Sequence, residues 1–400
     1  MTSLLKSLKV LNRVPDFKIE KHSKNAIKHK NYGDFILLII PVLLSLFGAL
    51  MVYSASKYSA EISYGNKFYF FKKQLIGVSL GAVAMIFTAN FNYVRLKKIR
   101  YPLLIISLVA LVLVFTPFGV ENYGAKRWIK FFGITIQPSE IVKFAFVVYA
   151  AAYFSNKPER ALSFAGLLPV LGVGGGICVL IMLEPNMSIT VCVGAIMLIM
   201  LFVAGVKFRH LAIIIAPLLV LAPVLIIIEP YRLKRLLAFI NPWASPKGEG
   251  YQLLQSLYAL GSGGLFGTGL FKSRQKYRFL PFAESDFILS IIGEELGFFG
   301  AAILFIAIGF LVYRGLVAAA KCKTYFGTLL GIGIISVFAV QAGVNALVVT
   351  GSIPPTGLPL PLISSGNTSI IVFLAAFGVL YNLSRDKDEI FLSGLKADGY

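Results

Sequence analysis

The sequence predicts an all-α, polytopic integral membrane protein with about ten transmembrane helices. Three observations predict it. Hydrophobic residues make up 57% of the 400 residues and charged residues only 14%, against about 25% charged in soluble domains. Mean hydropathy is +0.80. Apolar runs close to the ~20 residues that a spanning helix needs recur along the chain. A soluble fold is excluded because too little polar surface exists to cover such a core. Disorder, collagen and coiled coil are excluded by the scarcity of charge and the lack of a glycine period.

Residues 1–33 read as a basic cytoplasmic tail with eight Lys/Arg, too long and polar for a signal peptide. Leu4, Leu5, Leu8 and Leu11 recur at helical spacing, as in a surface-lying amphipathic turn or simply a disordered tail. The membrane domain follows over 34–384. Its apolar runs are 34–54, 73–90, 101–118, 138–154, 163–183, 187–205, 210–228, 286–313, 325–350 and 367–384. Gln137, Pro138 and Ser139 open the fourth helix. Glu184, Pro185 and Asn186 separate the fifth and sixth, because Pro185 cannot continue a helix. A long re-entrant outer loop, about 229–285, joins the seventh and eighth. Residues 385–400 form a second cytoplasmic tail. An even number of crossings puts both termini on one side.

The formal charge is +20. In a membrane chain such charge belongs beside cytoplasmic helix ends and anionic lipid, not on nucleic acid. With both tails inside, inner segments hold 22 Lys/Arg and outer segments 15. Eight of the outer ones lie in 232–278. Long loops translocate largely regardless of charge, so the excess points to an anionic ligand. Cys178, Cys192 and Cys322 show no CxxC spacing, which argues against a disulfide framework or zinc site.

On the expected outer face, ionisable groups are few. His22, His29 and His210 all fall on the inner side. Of six aspartates only Asp286 lies outside, where the long loop re-enters the membrane. That position alone suits a helix cap as well as a general base. Upstream, Arg274, Lys276 and Arg278 alternate, a cluster able to hold a pyrophosphate. A carboxylate beside such cations stays ionised. Glu284 competes with Asp286, but on a helix the two point about 200° apart. The run GSGGLFGTG (residues 261–269) lets backbone approach a ligand closely or serves as a flexible loop; no GK[ST] follows, so it is no Walker loop.

Charges inside the membrane are costly. Glu140 and Lys143 share a face of the fourth helix and can pair. Lys126, Arg127, Trp128 and Lys130 sit at the outer interface. Glu294 and Glu295 extend the site helix inward or glue the bundle. The stretch 341–369 holds Pro354, Pro355, Pro359 and Pro361, so it is expected to be irregular, and with the 229–285 loop to wall a cavity open to the outside.

These residues resemble the SEDS family of shape, elongation, division and sporulation proteins, whose members include FtsW, RodA and SpoVE. The resemblance spans about 34–384. It rests on GAKRWI with QPSEIVKF, INPWASPKGEGYQLLQSLYALGSGGLFGTGL, SRQKYRFLPFAESDFILSIIGEELGFFG and GSIPPTGLPLPLISSGNTS, in that order. GTGLFKSRQK and IIGEELG look closer to FtsW and SpoVE than to RodA. The family's essential aspartate falls on Asp286, its GxxRW arginine on Arg127, and its QPSExxK pair on Glu140 and Lys143. The family's EPDxGT reads EPNMSI here, with Asn186 and Ser188 arguing against an acidic role for that loop. Phe282 and Ser285 depart from the aspartate block, and SSGNTS replaces SYGGSS.

The resemblance implies a peptidoglycan glycosyltransferase that polymerises lipid II onto an undecaprenyl-pyrophosphate-linked glycan, beside a class B penicillin-binding protein, the transpeptidase. Asp286 would be catalytic. Arg127, Lys126, Arg274, Lys276, Arg278, Glu140 and Lys143 would serve the substrate. No cluster demands a metal, though a divalent cation is able to assist pyrophosphate departure. A lipid II flippase and a noncatalytic scaffold recruiting a transpeptidase are the alternatives. No internal repeat of transporter type is evident.

Overall fold

The computed structural model describes residues 32–386, apart from 123, 124, 132, 133 and 229. The tails at 1–31 and 387–400, with the leucine-bearing turn, lie outside the described residues.

All ten expected runs are helical. The described helices are α1 (Ile36–Tyr64), α2 (Tyr69–Asn90), α3 (Val94–Lys98), α4 (Arg100–Leu113), α5 (Pro138–Asn156), α6 (Phe164–Leu183), α7 (Met187–Val203), α8 (Phe208–Ile228), α9 (Pro230–Ile240), α10 (Tyr251–Gly263), α11 (Ile288–Ala320), α12 (Tyr325–Val349) and α13 (Asn367–Ser384). Among them α1, α2, α6, α11, α12 and α13 are long and apolar enough to cross a membrane. The third expected helix ends early, at Leu113. Thr116 precedes Pro117, and a residue before proline is pushed out of the α region. Pro138 opens α5, where its missing N–H is no loss.

One expectation is refined and one is corrected. The long 229–285 connection carries two helices of its own, α9 and α10. The irregular stretch is shorter than 341–369, because α12 continues to Val349. A third feature was not expected. Three short strands, β1 (Gly119–Asn122), β2 (Ala125–Phe131) and β3 (Ile134–Ile136), form an antiparallel sheet in the order β1-β2-β3.

The helices pack around α12, which touches α5, α7, α11 and α13. α13 lies along α2 at close approach, where Thr88 Oγ1 donates to the Ala375 carbonyl at 2.7 Å. Small and hydroxylated residues at such crossings let backbones meet.

Both described ends of the chain lie at one end of the bundle. Asp34 pairs with Arg314 at 2.6 Å and its N–H donates to Ser384 Oγ at 2.7 Å. Tyr93 donates to Asp386 Oδ2 at 2.6 Å. This agrees with an even number of crossings.

Candidate functional site

Asp286 lies in the turn before α11, not on the helix. Two irregular segments meet there. Ser364 Oγ donates to the Ser285 carbonyl at 2.6 Å, and the Ser365 N–H donates to the Glu284 carbonyl at 2.9 Å. Asn345, on α12, donates from Nδ2 to the carbonyls of Asp286 (2.9 Å) and Leu358 (2.7 Å). One amide thus staples both segments. Gly357 faces the carboxylate, and a Cβ there would sit 3.1 Å from Asp286 Oδ2. The Gly357 N–H in turn donates to Ser188 Oγ at 3.1 Å. The proline-bearing stretch therefore packs against the Asp286 turn.

Arg127 reaches the same region from β2. Val120 pairs with Trp128 while Glu121 pairs with Lys126, so Arg127 is the extra residue of a β-bulge. Bulges re-aim a side chain. Its guanidinium donates from Nε to the Glu184 carbonyl at 3.3 Å and also donates to the Pro185 carbonyl. The Glu184–Asn186 break is thereby part of the site. Asn186 caps α7 through Ile189 N–H, and Ser188 receives Gly357, so the departures from EPDxGT are accommodated structurally. Lys126, the neighbour of Arg127, is exposed.

Burial decides the electrostatics. It pushes the Asp286 carboxyl up to about 6; Arg127 pulls it down, Glu284 pushes it up, and Arg235 pulls it down. Burial likewise raises Glu284. Residues 284–287 are turn rather than helix, so the expected 200° separation of Glu284 and Asp286 does not apply. Glu184 is pushed up to about 8 by burial, against the opposing pull of Arg127. It is thus mostly protonated near neutral pH. Arg235 was not anticipated. It projects from α9, faces Glu249 at 3.9 Å and donates to the Pro355 carbonyl at 3.5 Å.

Glu140 and Lys143 form the expected pair at 2.8 Å, with side chains 1% and 0% exposed. Lys143 also donates to Gln341 Oε1 at 2.6 Å, and Gln341 Nε2 donates to the Pro359 carbonyl at 3.0 Å. Gln341 and Asn345 lie one turn apart on α12, hence on one face. The pair thus positions the proline-bearing wall from behind.

The basic cluster divides. Lys276 is 6% exposed and bonds Glu295 Oε1 at 2.9 Å and Ser54 Oγ at 3.3 Å. Its ammonium is committed to a buried ion pair, which corrects the expectation of a third phosphate ligand. Arg274 and Arg278 are exposed. The two glutamates act as a clamp on this segment. Glu294 accepts from Ser273 Oγ and the Arg274 N–H (2.8 Å); Glu295 accepts from the N–H groups of Phe271 (3.0 Å) and Ser273 (3.2 Å).

The glycine-rich run serves the same junction. α11 is broken at Gly297, whose φ is 68°. A Cβ on Gly297 would lie 2.3 Å from the Gly267 nitrogen. Of the run, Gly263 and Gly267 approach the backbone of the broken helix. Among the described residues no three His, Cys, Asp or Glu gather as metal ligands.

Fold and site together define a multi-pass helical membrane protein whose irregular segments half-bury an aspartate that two arginines influence. The chain matches the FtsW/RodA/SpoVE model, described as cell cycle protein, over residues 35–389. It belongs to this family. Stage V sporulation protein E of Bacillus subtilis (strain 168) is 40% identical over 361 residues, covering 89% of this chain and 98% of that protein. A probable peptidoglycan glycosyltransferase FtsW of Trichlorobacter lovleyi is 41% identical over 369 residues, covering 91% and 96%. Two solved structures are similar. One, titled for coordination of polymerization and crosslinking by a peptidoglycan synthase complex, gives a TM-score of 0.74 at 27% identity over 89% of this chain and 99% of that one. The rod shape determining protein RodA of Thermus thermophilus gives 0.66 at 25% over 89% and 98%.

Proposed function

We propose that this chain is a peptidoglycan glycosyltransferase that polymerises lipid II, with Asp286 as general base. The names of its relatives support the activity. The observation that carries the base assignment is the half-buried Asp286 carboxyl, enclosed by the proline-bearing wall, tuned to about 6 and under the influence of Arg127 and Arg235. A base with a pKa just below the working pH is both ionised and able to accept a proton.

In the proposed step, the 4-hydroxyl oxygen of the acceptor GlcNAc attacks the anomeric carbon of the lipid-linked glycan. Its proton passes to Asp286. The carbon–oxygen bond to pyrophosphate breaks, and the leaving group keeps the electron pair. An α-linked donor yields a β-1,4 product by inversion. Arg127 and Arg235 stabilise the departing charge, while exposed Arg274, Arg278 and Lys126 draw the anionic substrate to the site. A divalent cation carried by the pyrophosphate is compatible with this step. Protonated Glu184 is able to donate to a substrate oxygen.

The Asp286 end of the bundle is proposed to face outward, with both tails cytoplasmic and a class B penicillin-binding protein as the partner. Reporters after Lys157, His210 and Lys323 should read cytoplasmic, and one within 245–250 external. For the activity, purified chain is incubated with lipid II, with and without the transpeptidase, and glycan is resolved on a gel. Polymer supports the proposal. Lipid II moved across vesicles with no polymer under either condition would favour the flippase.

A further inference from the structure

We propose that a pocket apart from Asp286, where the Asp286 end of α1 meets residues 271–277, binds one sugar ring of the glycan strand. This rests on the polymerase reading. The cavity holds about 100 Å³ and is lined by α1 and the clamped loop, with room for one ring and not for a whole lipid-linked substrate. None of its lining residues is among the charged groups that tune Asp286.

Aromatic rings make the walls. Tyr58 and Tyr277 meet edge to face with centroids 5.2 Å apart, and Phe271 is held by Tyr53 at 6.0 Å. The floor is Ser54 and Lys276, both bonded to Glu295. The rim is Lys57 and Glu61, one turn apart on α1 and exposed, whose side chains make no hydrogen bond or ion pair with described residues.

The charges select the ligand class. Glu61 balances Lys57 at the rim, and Glu295, buried beneath the floor, neutralises Lys276. A pyrophosphate would meet the Glu61 carboxylate at the rim and an already neutralised ammonium at the floor. A pyranose suits the rim, because its hydroxyls donate to the Glu61 carboxylate and accept from the Lys57 ammonium. Its polarised C–H faces pack against the negative faces of aromatic rings. The loop that lines the pocket runs on to Asp286, at the same end of the bundle. A ring held here would retain the strand between additions.

The test is calorimetric binding of a peptide-free GlcNAc–MurNAc tetrasaccharide to the full chain in nanodiscs. Wild type and Asp286→Asn should bind alike. Lys57→Ala and Glu61→Gln should each weaken binding about tenfold or more, the value of a hydrogen bond to a charged group. Glu61→Gln should also shorten the polymer. Neither side chain holds the fold together, so both variants should remain folded. Equal tetrasaccharide affinity in all variants would overturn the proposal. So would binding of inorganic pyrophosphate that Lys57→Ala abolishes while the tetrasaccharide fails to bind. If wild type makes no polymer yet Glu61→Gln loses tetrasaccharide binding, the polymerase reading falls and the sugar site stands.

Discussion

Replacing Arg127 with Gln tests the electrostatics of the site through the shape of a pH profile. The Asp286 carboxyl sits at about 6, and Arg127 is the larger of the two cationic influences that hold it there. At pH 6 about half the sites are then ionised, and at pH 7 about nine-tenths. An opposite charge in range lowers a carboxyl by about 1–3 units, so its loss should raise Asp286 by at least about one unit. The ionised fraction then falls to about one-tenth at pH 6 and about half at pH 7. Through this route kcat/KM drops roughly fivefold at pH 6, roughly twofold at pH 7 and negligibly at pH 8. Arg127 also anchors the Glu184 and Pro185 carbonyls, so a further loss uniform in pH is expected. The assay is polymerisation of lipid II between pH 5 and 8.5 with wild type and Arg127→Gln. The height of the profile reports positioning and charge stabilisation; the position of its acid limb reports the base. An acid limb that stays put, or moves down, would refute the coupling of Arg127 to the reacting carboxylate.

Other outcomes follow from the same packing. Because the folded pKa of Asp286 lies above its ordinary 3.8, the protonated site is favoured below about pH 4 and that advantage is lost as pH rises through about 6. Asp286→Asn should therefore raise thermal stability above pH 6, by up to about 3 kcal/mol at 1.36 kcal/mol per unit, with little effect near pH 4. Melting curves at the two pH values decide it, and a destabilised variant at pH 7.5 would contradict the burial account. Lys143→Ala strands Glu140 and should cost about 3–5 kcal/mol; the Glu140→Gln, Lys143→Met double variant should recover part of the folded yield. Lys276→Ala should lower folded yield by stranding Glu295, whereas Arg274→Ala and Arg278→Ala should fold normally and weaken lipid II use about 10- to 100-fold. Normal yield and raised KM in Lys276→Ala would return it to the substrate-binding set.

The ten helices were legible because a bilayer admits few backbone solutions and each demands a long apolar run. The Glu140–Lys143 pair was legible because a three-residue spacing on a buried helix leaves each charge a partner. Asp286 stood out as the lone acid of its type on its face, and family resemblance sharpened that. Lys276 was misread because its partner, Glu295, lies 19 residues further on, beyond any local pattern. Its alternation with Arg274 and Arg278 suggested one cluster, but residues 275–279 form turns and Arg278 has φ 70°. The packing of Gly263 and Gly267 on α11 was not legible, because backbone approaching backbone requires the same residues as backbone approaching a ligand. Arg235 was missed inside α9, a helix read as loop. Arg127 was found by resemblance, but the bulge that aims it at Glu184 depends on a one-residue register shift that no side-chain pattern announces.

The most direct measurement of the central claim is single-turnover polymerisation by Asp286→Asn, compared with wild type at pH 7.5 after lipid II binding has been shown equal. Asn keeps the size and the Gly357 contact but cannot take the proton. Base catalysis is typically worth about 10²–10⁴-fold, and a loss in that range with binding intact is the expected result. A folded Asp286→Asn chain that joins lipid II at the wild-type rate would contradict the account.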